Sequence, residues 1–147
     1  MAAGNESALS ERTQERIQAA LETCRRENGL DVSVLVGDLL VDDLTEFRAA
    51  AEKLHAALGE DRSAMAVLIV VAPGQRRVEV VTGPRARRRV PDRVCSLAVL
   101  SMTTAFSGGD LGGGIVDALR QIADSAGRRD PQAPTDASST QLVNAGH

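Results

Sequence analysis

Aromatic side chains are nearly missing from this sequence, which has two Phe, no Trp and no Tyr among 147 residues. Stacking on single-stranded nucleic acid and caging of quaternary ammonium groups both need ring faces, so the composition argues against both. Lys53 is the one lysine among 17 basic residues, and a formal charge of -3 with a pI near 5.4 opposes a general nucleic-acid binder. Cysteine is scarce too. Cys24 and Cys95 each sit in an apolar helical pattern without metal or redox spacing, and read as buried thiols in a reducing compartment. Histidine occurs only as His55 and His147, and no Ser-His-Asp or Cys-His arrangement can be assembled around either. No apolar stretch reaches the ~18 residues of a membrane span. Met1 to Ser7 lack the basic and apolar regions of a secretory signal. The expected location is the cytoplasm, including a peripheral position at the inner membrane face.

What is present is aliphatic: 43% of the residues are hydrophobic, enough to fill the core of a single domain of this length. The chain is organised around an apolar run from Ala64 to Ala72, a Pro73-Gly74-Gln75-Arg76 turn and a second run from Arg77 to Thr82. Nine uncharged residues rich in β-branched types predict a strand covered on both faces, and the second run predicts the outer arm of a hairpin.

Upstream, Ser10 to Asn28 predicts a helix capped by Ser10, with Ile17, Leu21 and Cys24 on one face and Gly29 closing it. Asp31 to Gly37 predicts a strand, and Asp38 to Asp42 a loop. A second helix is expected from Asp43, which has capping-box spacing to Glu46, with Leu44, Phe47, Ala51, Leu54 and Leu58 as its core stripe. Downstream, Gly83 to Val90 reads as a loop. Pro91 opens a third helix, apolar almost all round from Val94 to Phe106 and so expected to be the most buried. Asp110 caps a fourth helix ending at Gly127. Residues 128–147 are polar and read as a disordered tail, and residues 1–9 as a flexible N-terminus.

Together these elements predict an α/β fold, a three-layer α/β/α sandwich over residues 10–127. Four helices flank a small mixed sheet of three to four strands. A right-handed crossover makes one parallel pair, the hairpin adds an antiparallel strand, and a fourth short edge strand would have to come from a loop.

The order of these elements, together with Val67 to Pro73, Val90-Pro91-Asp92, and Phe106-Ser107-Gly108-Gly109-Asp110 followed by Gly113 and Gly114, resembles the TPM domain. The likeness covers roughly residues 10 to 126. It implies an α/β/α sandwich, divalent-cation binding (often calcium), a weak acid phosphatase activity in some members, and service to membrane protein complexes. The sequence departs from the family pattern at Gly83-Pro84-Arg85-Ala86-Arg87, where a Gly-Tyr-Gly with a following acid is usual, and at Leu111, where an aromatic is common.

Two groups of side chains stand out. Arg85, Arg87, Arg88 and Arg89 precede a helix N-terminus, where free amides and the helix dipole favour anions, and are expected to bind an anionic protein or membrane surface. Asp38, Asp42, Asp43 and Asp110 are expected at the opposite end of the sheet. They are weak candidates for a Ca²⁺ site, which needs six to eight oxygens. Asp92 cannot join them, because a third helix of about fourteen residues separates it from Asp110 by roughly 20 Å. The function this supports is a non-catalytic interaction module. The alternative, drawn from the resemblance, is a divalent-cation-dependent acid phosphatase of low activity.

Overall fold

Four strands, β1 (Asp31–Val36), β2 (Ala66–Ala72), β3 (Arg77–Thr82) and β4 (Gln141–Asn144), form one mixed sheet in the order β3-β2-β1-β4. The structure, a computed structural model, describes residues 9–128 and 141–144. Every residue of β2 is buried, as a β-branched run between two helical layers should be. Its parallel register with β1 runs from Asp31 opposite Ala66 to Val36 opposite Val71, and β3 folds back antiparallel with Val67 opposite Thr82.

The fourth strand corrects the expectation of a tail disordered throughout residues 128–147. Residues 141–144 pair parallel with Ser33–Val36, and Leu142 packs against the core. The outer edge of β1 would otherwise leave backbone donors and acceptors unpaired, and the four residues of β4 pair with it. Residues 129–140 and 145–147 lie outside the described residues, as do 1–8. Leu9, the described member of the expected flexible N-terminus, also packs against the core.

Helix α1 (Glu11–Thr23) starts where Ser10 accepts a hydrogen bond from the Thr13 amide, continues as a π-helical turn over Cys24–Asn28, and stops at Gly29 in the left-handed region. Helix α2 (Phe47–Ala56) begins later than expected. Asp43 accepts from the Thr45 amide at 2.9 Å and caps a 3-10 turn, Leu44–Glu46, instead of forming a capping box. A short fifth helix, α3 (Glu60–Met65), takes Ala64 and Met65 out of the expected strand. Helices α4 (Asp92–Gly108) and α5 (Leu111–Ala126) follow, and Asp110 caps α5 through the Gly113 amide at 3.0 Å.

The two faces of the sheet are covered unequally. On one, Ile17 and Leu21 of α1, Met102 of α4 and Ile115 and Ile122 of α5 meet Val32, Val34, Ile69 and Val80 in the main core. On the other, Phe47 and Ala51 of α2 meet Leu68, Val70, Ala72 and Val81 in a smaller one. Helix α5 packs between α1 and α4 because Gly112 and Gly114 carry no Cβ. A Cβ on Gly112 would lie 2.2 Å from the Thr13 methyl, and one on Gly114 2.5 Å from the Ala105 Cβ. Helix α4 is not the most buried helix: Leu97 and Leu100 are 57% and 61% exposed, and its inward stripe is Val94, Cys95, Ala98 and Met102. On α2 the inward stripe is Phe47, Ala51 and His55, which turns Leu54 outward. The buried His55 donates from Nε2 to the Ala66 carbonyl at 3.1 Å, at the first residue of β2.

Burial pushes the Cys24 thiol up to about 11, whereas a free thiol titrates near ~8.5. Above pH ~9 the unfolded chain loses that proton first, so folding stability falls as pH rises through the window between the two values. We expect about 2–3 kcal/mol to be lost between pH 9 and 11. Most of that slope should vanish in Cys24→Ala, as read by urea unfolding across that range. Equal slopes in the two proteins would refute the assignment.

Candidate functional site

The strand directions create two chemically different ends. At the end where β1 and β2 finish, the β2–β3 turn is bonded to the loop after β1. Asp38 accepts from the Gly74 amide at 3.0 Å, while the Gln75 side chain accepts from the Leu39 amide at 2.9 Å and donates to its carbonyl at 2.8 Å. Two grooves open here. One, of about 690 Å³, lies between this loop and α2, lined by Asp38, Leu40, Asp42, Glu46, Lys53 and Leu54. The other, of about 410 Å³, lies by the starts of α1 and α5, lined by Ser10, Thr13, Arg76, Phe106 and Asp110.

The four acids expected to gather at this end therefore do so only loosely. Asp38, Asp42 and Asp43 belong to the α2 face of the sheet and Asp110 to the other. Among the described residues, no three His, Cys, Asp or Glu side chains come together as a metal-binding group. Three of the acids serve the backbone instead: Asp38 the hairpin, Asp43 the 3-10 turn and Asp110 helix α5. The hydrogen bond from the Thr45 amide holds the Asp43 carboxyl below its ordinary range.

At the opposite end, the arginine segment is not a plain loop. Residues 86–88 form a 3-10 turn, anchored by the buried Ala86 and closed by the fully buried Val90. That geometry sorts the four guanidiniums. Arg89 turns inward: its Nη2 donates to the carbonyls of Asn28 at 2.6 Å and Ala126 at 3.1 Å, and its Nη1 to Gly29 at 3.3 Å. It thereby caps the C-terminal ends of the first and last helices at once. Arg87 donates to the Thr82 carbonyl at 2.9 Å and lies 3.8 Å from the Asp92 carboxylate. Arg85 and Arg88 are exposed and make no side-chain hydrogen bond or ion pair with the described residues. A few residues on, α4 starts at Pro91 without a side-chain cap, and Arg93, Leu97 and Leu100 are exposed along one stripe of it.

Neither Arg89's inward turn nor the exposed leucines were anticipated. The carbonyls that hold Arg89 are 37 to 61 residues away in sequence, and no local pattern announces them. The model of one protein family, described as a domain of unknown function (DUF5130), matches residues 3–123. The chain belongs to this family. That match reaches from the N-terminal segment into α5 and contains both ends of the sheet. An uncharacterized protein found in two strains of Mycobacterium tuberculosis is 36% identical over 58 residues, 40% of this chain and 35% of its own length. The DUF5130 chain thus spans about a third of the length of the curated relatives it matches.

Among solved structures, the NMR structure of the BA42 protein from the psychrophilic bacterium Bizionia argentinensis is similar, with a TM-score of 0.71 at 12% identity. The likeness covers 91% of this chain and 94% of that one. The solution structure of an N-terminal domain from P. gingivalis is similar at a TM-score of 0.68 and 20% identity, over 80% and 76% of the two chains. Likeness at these identities establishes a shared fold for this DUF5130 domain. Among the described residues, no helix is long and apolar enough to cross a membrane.

Proposed function

We infer that this DUF5130 domain is a non-catalytic, TPM-like interaction module that binds an anionic partner, a protein or a membrane surface, through Arg85 and Arg88. One observation carries the reading. Of four clustered arginines, two are engaged by the fold, and the other two, Arg85 at the N-cap and Arg88 at the last position of the 3-10 turn, face solvent. A preformed turn costs little ordering on binding, and guanidinium forks suit carboxylate and phosphate oxygens. The uncapped start of α4 adds its amides, and Leu97 and Leu100 on the same helix add apolar contact. The place of action this suits is the cytoplasm or the inner face of the membrane.

Replacing Arg85 and Arg88 together by Ala should weaken binding to vesicles rich in anionic lipid, or to an acidic polypeptide, by about ten- to thirty-fold at low salt. This takes ~1 kcal/mol per surface charge, with 1.4 kcal/mol per tenfold. Melting temperature should not move, because both side chains are exposed. Unchanged co-sedimentation and unchanged peptide binding together would refute the reading. Among the described residues, no metal-binding cluster favours the phosphatase alternative. Hydrolysis of a generic phosphate ester that needs a divalent cation and dies with Asp110→Ala would nevertheless replace the module reading with it.

A further inference from the structure

The least secured element of the sheet is the one that closes its β1 edge. Strand β4 has four residues, is separated from residue 128 by twelve residues in sequence, and among its described side chains Leu142 is the one that packs against the main core. Its neighbour Val143 is 43% exposed on the thin face of the sheet, beside Leu35. A strand this short, with little buried apolar area, belongs to the low end of local stability. The edge beneath it is different in kind. Val34 and Val36 of β1 face the main core and are held by the parallel register with β2, so the place of β1 in the sheet is set on its other side by β2.

We propose that the β1 edge is an exchangeable strand-binding site, and that its occupant in trans is the Gln141–Asn144 segment of a second copy of this chain. The seated strand displays the chemistry the edge accepts: an extended parallel segment with one aliphatic side chain directed to the core and one to the thin face. Twelve connecting residues reach at most about 40 Å when extended, enough to carry the strand from one small domain to an adjacent copy. The connecting sequence, residues 129–140, contains no apolar side chain larger than Ala and Pro. Exchange of an identical element makes the same contacts in trans as in cis. That makes it a low-cost route to a twofold dimer whose population rises with concentration.

Disulfide trapping tests this on the full chain. Leu35 and Val143 are register partners across the pair, at a spacing a disulfide can bridge. The native thiols Cys24 and Cys95 are both buried, with pKa raised by burial, and stay out of the reaction. Leu35→Cys and Val143→Cys chains are mixed at several hundred micromolar and oxidised with a glutathione couple. The mixture is expected to give at least tenfold more disulfide-linked dimer than either chain alone, and Leu142→Asp in the Val143→Cys chain should abolish the excess. If the double variant Leu35→Cys/Val143→Cys closes its bridge within one chain while the mixture yields no excess dimer, the strand is fixed in cis and exchange is refuted. If neither bridge forms, β4 does not occupy the edge, and the proposal fails with it.

Discussion

Phe47→Ala should cost about 3–5 kcal/mol of folding stability, against a total of ~5–15 kcal/mol for a domain of this kind. The size of the effect follows from how thinly one face of the sheet is covered. Three helices seal the main core, whereas α2 covers the other face with Phe47 and Ala51 as its buried aliphatic and aromatic contacts. Phe47 is fully buried against Leu68, Val70, Ala72 and Val81, and its ring lies 6.0 Å beneath the Arg77 guanidinium. Truncation leaves a ring-sized void that small neighbours such as Ala51 and Ala72 cannot fill by relaxing. The polar ties of α2 to β3, in which Arg48 donates at 2.9 Å to both the Glu79 carboxylate and the Val80 carbonyl, lie at the half-exposed rim. Exposed pairs of this kind contribute little. Urea unfolding measures the loss as a lower midpoint at constant slope. A cost below about 1 kcal/mol would mean that this face is not a packed core.

Much of the architecture was legible because its signals are local. The β-branched run of β2, the Ser10 and Asp110 caps and the left-handed Gly29 each act within a few residues of themselves, and the sequence places them correctly. Strand β4 was hidden because Gln141-Leu142-Val143-Asn144 has no alternation long enough to read, and what orders it is the unpaired edge of β1, about a hundred residues upstream. Helix α3 was hidden for the opposite reason: Ala64 and Met65 extend an apolar run that looks continuous, yet an acidic first turn at Glu60 and Asp61 favours a helix start. Leu97 and Leu100 show where periodicity reaches its limit. An apolar position on a helix names a preference, and burial also requires something to pack against it.

The candidate site shows the same division more sharply, since adjacent arginines of identical chemistry carry different expectations. Arg85→Ala and Arg88→Ala should each change stability by no more than about 0.5 kcal/mol, as surface substitutions do. Arg89→Ala should cost about 3–4 kcal/mol, from two charge-assisted hydrogen bonds at ~1.5–2 kcal/mol each. Those bonds run to the carbonyls of Asn28 and Ala126, at the ends of the first and last helices, where no intrahelical amide is available to take their place. Losing the cation also removes a charge that opposes the negative ends of both helix dipoles. The corner is cross-braced by Asn28, which donates to the Gly127 carbonyl at 2.7 Å, and by Ser125, which donates to the Arg89 carbonyl at 2.9 Å. Removing Arg89 should therefore loosen α1 and α5 together. Arg89→Lys separates charge from geometry: an ammonium keeps the dipole interaction but cannot reach carbonyls on two helices with one planar fork, so it should recover less than half of the loss. Urea midpoints of these four variants decide the matter. An Arg89→Ala protein as stable as Arg85→Ala would return Arg89 to the solvent-facing group with Arg85 and Arg88.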